Sequence, residues 1–131
     1  MATLVDDGLA YIPRIMGGIS TDLFKYVALD KGETVEGNDK TALVDEIVTA
    51  DAVGGARKVA DTVEYEADNK LKLIVSWTFT GSVTIKGCGI FDLVTEEGGH
   101  MLMIHAFSAA KNVDEGDTLQ LTLKYTQSRA A

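Results

Sequence analysis

The chain has 131 residues, enough for one domain with its own core, and its single cysteine excludes an internal disulfide framework. Hydrophobic residues make up 46% and charged residues 24%, a balance that excludes a disordered tail or a compositionally biased fibre. Twelve Lys and Arg against twenty Asp and Glu give a net charge of −8, which repels phosphate backbones and anionic bilayers, so neither a nucleic-acid nor a membrane partner is expected.

Residues 4–16, LVDDGLAYIPRIM, carry apolar residues at a helical period, with Asp6 or Asp7 as the expected N-cap and Gly17-Gly18 as the stop. Pro13 removes a backbone hydrogen bond there, so a kink or a later start is expected. The period then changes. FKYVALD (24–30) reads as a strand, DKGETVEGNDKT (30–41) as a polar loop, and TALVDEIV (41–48) as one or two helical turns. KVADTVEYE (58–66) and LKLIVSWTF (71–79) flank the turn ADNK and are expected to pair as a hairpin. In the second of them Leu71, Leu73, Val75, Trp77 and Phe79 share one face. VTIKG (83–87) and GIFDL (89–93) read as two short strands, EEGGH (96–100) as a turn, MLMIHAF (101–107) as a strand, DEGD (114–117) as a turn and TLQLTLKYT (118–126) as a last strand.

Six or seven short strands separated by turn signals predict a mainly β protein, an antiparallel β-sandwich of jelly-roll-like type with a short N-terminal helix. It is expected to be one domain, 1–131, with a helical segment in 1–20 that covers an edge or an end and the sandwich in 21–131. The N-terminal stretch has two acids and no basic segment, unlike a secretory signal, so synthesis in a cytoplasm is expected.

The constellations that carry chemistry are weak. In GETVEGNDKT, Asn38 and Asp39 separate the second glycine from the lysine, where a P-loop needs them adjacent. His100 and His105 are five apart on a strand and point to opposite faces, so they do not chelate one metal. Cys88 has no cue for activation, no G-x-S-x-G elbow is present, and Asp114, Glu115 and Asp117 match no EF-hand loop. Glu64, Glu66, Asp68 and Glu96-Glu97 sit where acids normally face water rather than where a glycosidase pair would stand. No catalytic residue, cofactor or metal site is assigned. A small hydrolase would need His105 in a cleft with Asp92 or Ser76. Trp77 and Tyr65, if exposed, would suit sugar stacking; their alternation with aliphatic residues favours a core role. MLMIHAF is apolar on both faces, as in a strand covered on both sides or one at a subunit interface.

The order of boxes resembles a group of small bacteriophage virion proteins. It runs from GLAYIPRIMGG (8–18) through FKYVALDKG (24–32), KTALVDEI (40–47), SWTFTG (76–81) and GIFDL (89–93) to GGHMLMIHAF (98–107) and VDEGDTLQLTLKY (113–125). The chain departs from the group at Pro13, at Asp30 where glycine is commoner, and in the more apolar LIVSWTF. The resemblance implies a non-enzymatic virion structural protein, made in the host cytoplasm. It would be a capsid decoration (cement) protein on a tailed-phage head, with the major capsid protein as partner. It implies a homo-oligomer, a trimer being one form. The alternative is a tail- or fibre-associated attachment or receptor-binding module, with tail proteins as partners. The interface is expected to draw on Leu4, Val5, Leu102, Ile104 and His105.

Overall fold

The computed structural model describes residues 3–18, 24–67 and 70–126. The protein is mainly β, with two antiparallel sheets and one short helix. Its elements are β1 (Thr3–Leu4), α1 (Asp6–Met16), β2 (Tyr26–Asp30), β3 (Lys58–Val59), β4 (Thr62–Ala67), β5 (Lys70–Thr78), β6 (Val83–Phe91), β7 (Met101–Val113) and β8 (Thr118–Thr126), with a short 3-10 turn at Thr49–Asp51. One sheet has the order β1-β7-β6-β2-β3 and the other β4-β5-β8.

The main core lies where both sheets contribute side chains. Val27, Leu29, Ile85, Ile90 and Met103 come from the larger sheet, and Leu73, Val75, Trp77 and, just past β5, Phe79 from the smaller one. The period-two burial of β5 follows directly from its sequence: Leu73, Val75 and Trp77 are buried, and the even positions from 72 to 78 are half-exposed. Trp77 is buried with its indole N–H donating to the Ala56 carbonyl at 2.8 Å, so its polar handle is satisfied inside the core. A second cluster, Val5, Ala28, Leu43, Phe91, Met101 and Ile104, lies on the other face of the larger sheet. That cluster explains MLMIHAF: β7 is a central strand between β1 and β6, covered on both faces.

Several expectations are corrected. The helix starts early, at Asp6, and carries Pro13 within its span. Its N-cap is Val5, which makes no side-chain cap, while Asp6 and Asp7 occupy the first turn. Residues 41–48 form no helix. The Val44 and Asp45 amides donate to the buried Asp30 carboxylate, and Ile47 N–H donates to the Leu29 carbonyl, which holds this stretch extended beside β2. The stretch 58–66 is divided, with β3 in the larger sheet and β4 in the smaller. The hairpin with 71–79 survives as β4 paired with β5. VTIKG and GIFDL are one strand, β6, whose pairing with β7 shifts register between Ile85 and Gly87. Positions 68 and 69 of the expected ADNK turn lie outside the described residues.

Helix α1 seats on β7 through Gly8, which is buried. A Cβ there would fall 2.5 Å from Leu102 Cα and 2.6 Å from the Met101 carbonyl oxygen, so only glycine permits this approach. Asp7 fixes the seat by accepting from Met101 N–H at 3.1 Å and meeting His100 Nδ1 at 3.1 Å. The His100 ring stacks on Tyr11 with centroids 3.7 Å apart. No described helix is long and apolar enough to cross a membrane.

Candidate interaction surface

Beside α1 the sheets leave an apolar groove of about 210 Å³, lined by Ile12, Phe24, Leu71, Leu73, Ile90 and Leu102. Its walls come from α1, from β5 of the smaller sheet and from β6 and β7 of the larger one. The volume is below the several hundred Å³ of an ordinary small-molecule pocket and suits one or two inserted side chains. Two groove residues, Leu71 and Leu73, have β4 as their neighbour. Val63 stands opposite Leu73 and Tyr65 opposite Leu71, so both share the face that Leu71 and Leu73 present to the core. They are nevertheless 59% and 83% exposed. β4 is also an edge strand, pairing among the described residues with β5 alone.

The expected interface residues divide. Leu102 lines the groove and is half-buried. Leu4 is half-buried against the main core. Val5 and Ile104 are 0% and 1% exposed, with their side chains in the second core cluster. His105 is half-buried, with Nδ1 3.6 Å from a Glu36 carboxylate oxygen and its ring tilted against Phe107. Sequence reasoning missed Val63 and Tyr65 as surface, because their alternation matches that of core residues.

Of the chemistry-bearing side chains, His105 places Nδ1 3.6 Å from Glu36, beyond hydrogen-bond distance, and that buried nitrogen has no hydrogen-bond partner among the described residues, while Asp92 accepts from the His100 amide at 2.7 Å. Glu36 accepts from the Thr3 hydroxyl and the Ala106 amide. Burial alone would raise its pKa, but those two hydrogen bonds and the charge of His105 outweigh it and hold the carboxyl below the ordinary glutamate value. Cys88 is paired across from His105 on β7, but burial, with Glu36 adding, pushes its thiol up to about 12, so it stays protonated at neutral pH. In the 114–117 turn, Ser82 donates to Asp114 and the Asp114 amide donates to Asp117, with Gly116 at φ +85°. No three His, Cys, Asp or Glu side chains among the described residues are grouped to hold a metal ion. Trp77 is core and Tyr65 is surface.

A second, polar feature stiffens the loops at one end. Arg57 donates twice to Glu46, at 2.7 and 2.8 Å, and from Nη1 to the carbonyls of Leu93 and Gly98. Its guanidinium carbon lies 3.8 Å from the Phe91 ring centroid. Thr49 also hydrogen-bonds Glu96, so the segments around 46–57 and 93–98 are tied together and present Val48, Leu93 and Val94 outward.

No protein-family model matches the chain, and the search of curated proteins finds no match.

Proposed function

We propose that this chain is a non-enzymatic virion structural protein, a capsid decoration protein that binds the outer surface of a tailed-phage head. The observation that supports it is the apolar surface made by the groove, Val63 and Tyr65, on a strand that pairs on one side only among the described residues. Contiguous exposed apolar surface with an open edge is a feature of chains that complete themselves against a partner. The motif order supplies the kind of partner: the major capsid protein. A cement protein stabilises a shell by binding only its assembled state, so its effect follows mass action.

The finer fold reading belongs with this proposal: the two sheets face one another as a sandwich. The eight strands among the described residues match a jelly roll in number, although β4–β5 and β6–β7 are neighbours within single sheets. The alternative, a tail or fibre attachment module, draws on Tyr65, an exposed aromatic of the kind that stacks on sugars. The burial of Trp77 leaves that aromatic without the second ring the sequence suggested.

The test is rebinding. Purified chain mixed with shells lacking it is expected to co-sediment with them and raise their thermal transition, in a manner that saturates. Chain that stays in the supernatant at every concentration would contradict the proposal.

A further inference from the structure

We propose that the N-terminal arm, Thr3–Met16, is held on β7 by a proton-dependent clasp built on His100 and His105, so that it docks more firmly in mild acid and loosens above neutral pH. The proposal is independent of the decoration reading.

The arm has little of its own to keep it ordered. β1 is two residues long, and α1 is eleven residues with Pro13 inside and no side-chain N-cap. A free helix of that length is marginal in water, so the order of the arm comes from what it touches. Thr3 and Leu4 pair with Ile104 and Met103, Val5 N–H donates to the Leu102 carbonyl, and Asp6 N–H donates to the Asn38 carbonyl. Ile12 of α1 is one wall of the apolar groove, so the groove is complete only while the arm is docked.

The chain has two histidines, and both stand where the arm is fastened. At one end, Asp7 of α1 brings its two carboxylate oxygens to 3.1 and 3.3 Å from His100 Nδ1, and the His100 ring stacks on Tyr11 of the same helix. At the other end, one Glu36 oxygen accepts from the Thr3 hydroxyl at 2.7 Å. The other accepts from the Ala106 amide at 3.0 Å and lies 3.6 Å from His105 Nδ1. That nitrogen is buried without a hydrogen-bond partner among the described residues. A lone pair there would face a carboxylate; a proton there meets it favourably.

The surroundings set the sign. His100 has Asp7 from α1 and, just past β6, Asp92, which accepts from its backbone amide; the Arg14 guanidinium lies 4.8 Å from the Tyr11 ring. His105 has Glu36 and, across on β6, Cys88, whose thiol stays protonated. Lys86 and Glu33, beside Ala106 and Phe107, form an ion pair that cancels. β1 brings only the uncharged Thr3 and Leu4. Glu36 is held below the ordinary glutamate value, so it keeps its charge in mild acid. A charged His100 attracts Asp7 only while the arm is docked. A charged His105 holds in place the carboxylate that Thr3 grips. By linkage, docking strengthens where the histidines are charged and weakens as pH rises through the range in which histidine gives up its proton.

The experiment measures amide exchange of the isotope-labelled full chain from about pH 5 to about pH 8, divided by the intrinsic rate at each pH. The amides of Val5, Asp6 and Met101, the last of which donates to Asp7, report the arm; those of the β5–β8 pair report the rest. Arm protection is expected to fall by about three- to ten-fold across that range, the scale of two half-exposed ion pairs, while β5–β8 protection stays level. Asp7→Asn, which keeps an acceptor for the Met101 amide but removes the charge, should shrink the response, and so should His105→Gln. The proposal is overturned if arm protection ignores pH, rises with pH or falls in step with β5–β8, or if either variant keeps the full response. Should a variant leave the arm unprotected at every pH, salt decides on the unmodified chain: screening must shrink the response, and a response that high salt leaves unchanged overturns the proposal.

Discussion

Arg57 and Glu46 have side chains 0% and 2% exposed, so neither charge has water to fall back on. Such a pair contributes little net stability when intact, but removal of one member strands the other. Arg57→Ala is therefore expected to lower unfolding stability by about 3–5 kcal/mol, read from the urea midpoint. Arg57→Met combined with Glu46→Leu should recover most of that loss; a double variant no better than the single one would contradict this account. Glu36 acts through pH. Its folded-state pKa lies below the ordinary glutamate value, so the unfolded chain holds the proton more tightly. Its contribution is complete above the ordinary glutamate range and is lost as pH falls through the folded value. Glu36→Gln should flatten the acid limb of stability against pH, measured by denaturant unfolding across a pH series; an unchanged slope would speak against the hydrogen bonds from Thr3 and Ala106. None of these roles was visible locally. Arg57 and Glu46 are eleven residues apart in loop sequence, and Glu36 meets Thr3 across thirty-three residues and Ala106 across seventy.

At the scale of elements, legibility followed solvent contact. β5 and β8 were readable because one face of each meets the core and the other water, which writes the strand period into the residues. The stretch 41–48 misled because its helical pattern competes with Asp30, 0% exposed, which gathers the Gly32, Val44 and Asp45 amides and the Thr34 hydroxyl on one carboxylate. The departure from glycine at position 30 thus has a local consequence: the residue organises the loop after β2. β6 was read as two strands because Gly87 and Gly89 look like punctuation; here they sit within a paired strand, and a Cβ at Gly87 would meet the Thr34 side chain and the His105 carbonyl oxygen at closer than van der Waals distance. Helix α1 depends on a single atom's absence. Gly8→Ala should destabilise by about 1–3 kcal/mol through overpacking against β7, despite alanine's better helix propensity. The check is thermal unfolding together with the His100 ring resonances, which should lose the Tyr11 stacking shift. A stabilised variant with His100 unmoved would contradict the close approach at Gly8.

For the whole molecule, composition and strand count indicated a mainly β architecture, and the two antiparallel sheets with one helix agree with it. Which apolar residues stay outside was less legible. Leu102, expected at an interface, is half-buried and lines the groove, whereas Val5 and Ile104 belong to a second core cluster to which Leu43, from the stretch after β2, contributes. Val63 and Tyr65 emerge as surface only once β3 and β4 are assigned to different sheets. On the decoration proposal, the net charge of −8 would keep free copies apart before assembly. The decisive quantity is the copy number of this chain per purified particle, by quantitative mass spectrometry against the major capsid protein. The decoration account predicts a ratio near one, or a simple fraction of it set by shell symmetry. A ratio of a few per hundred, or absence from the particle, would contradict it.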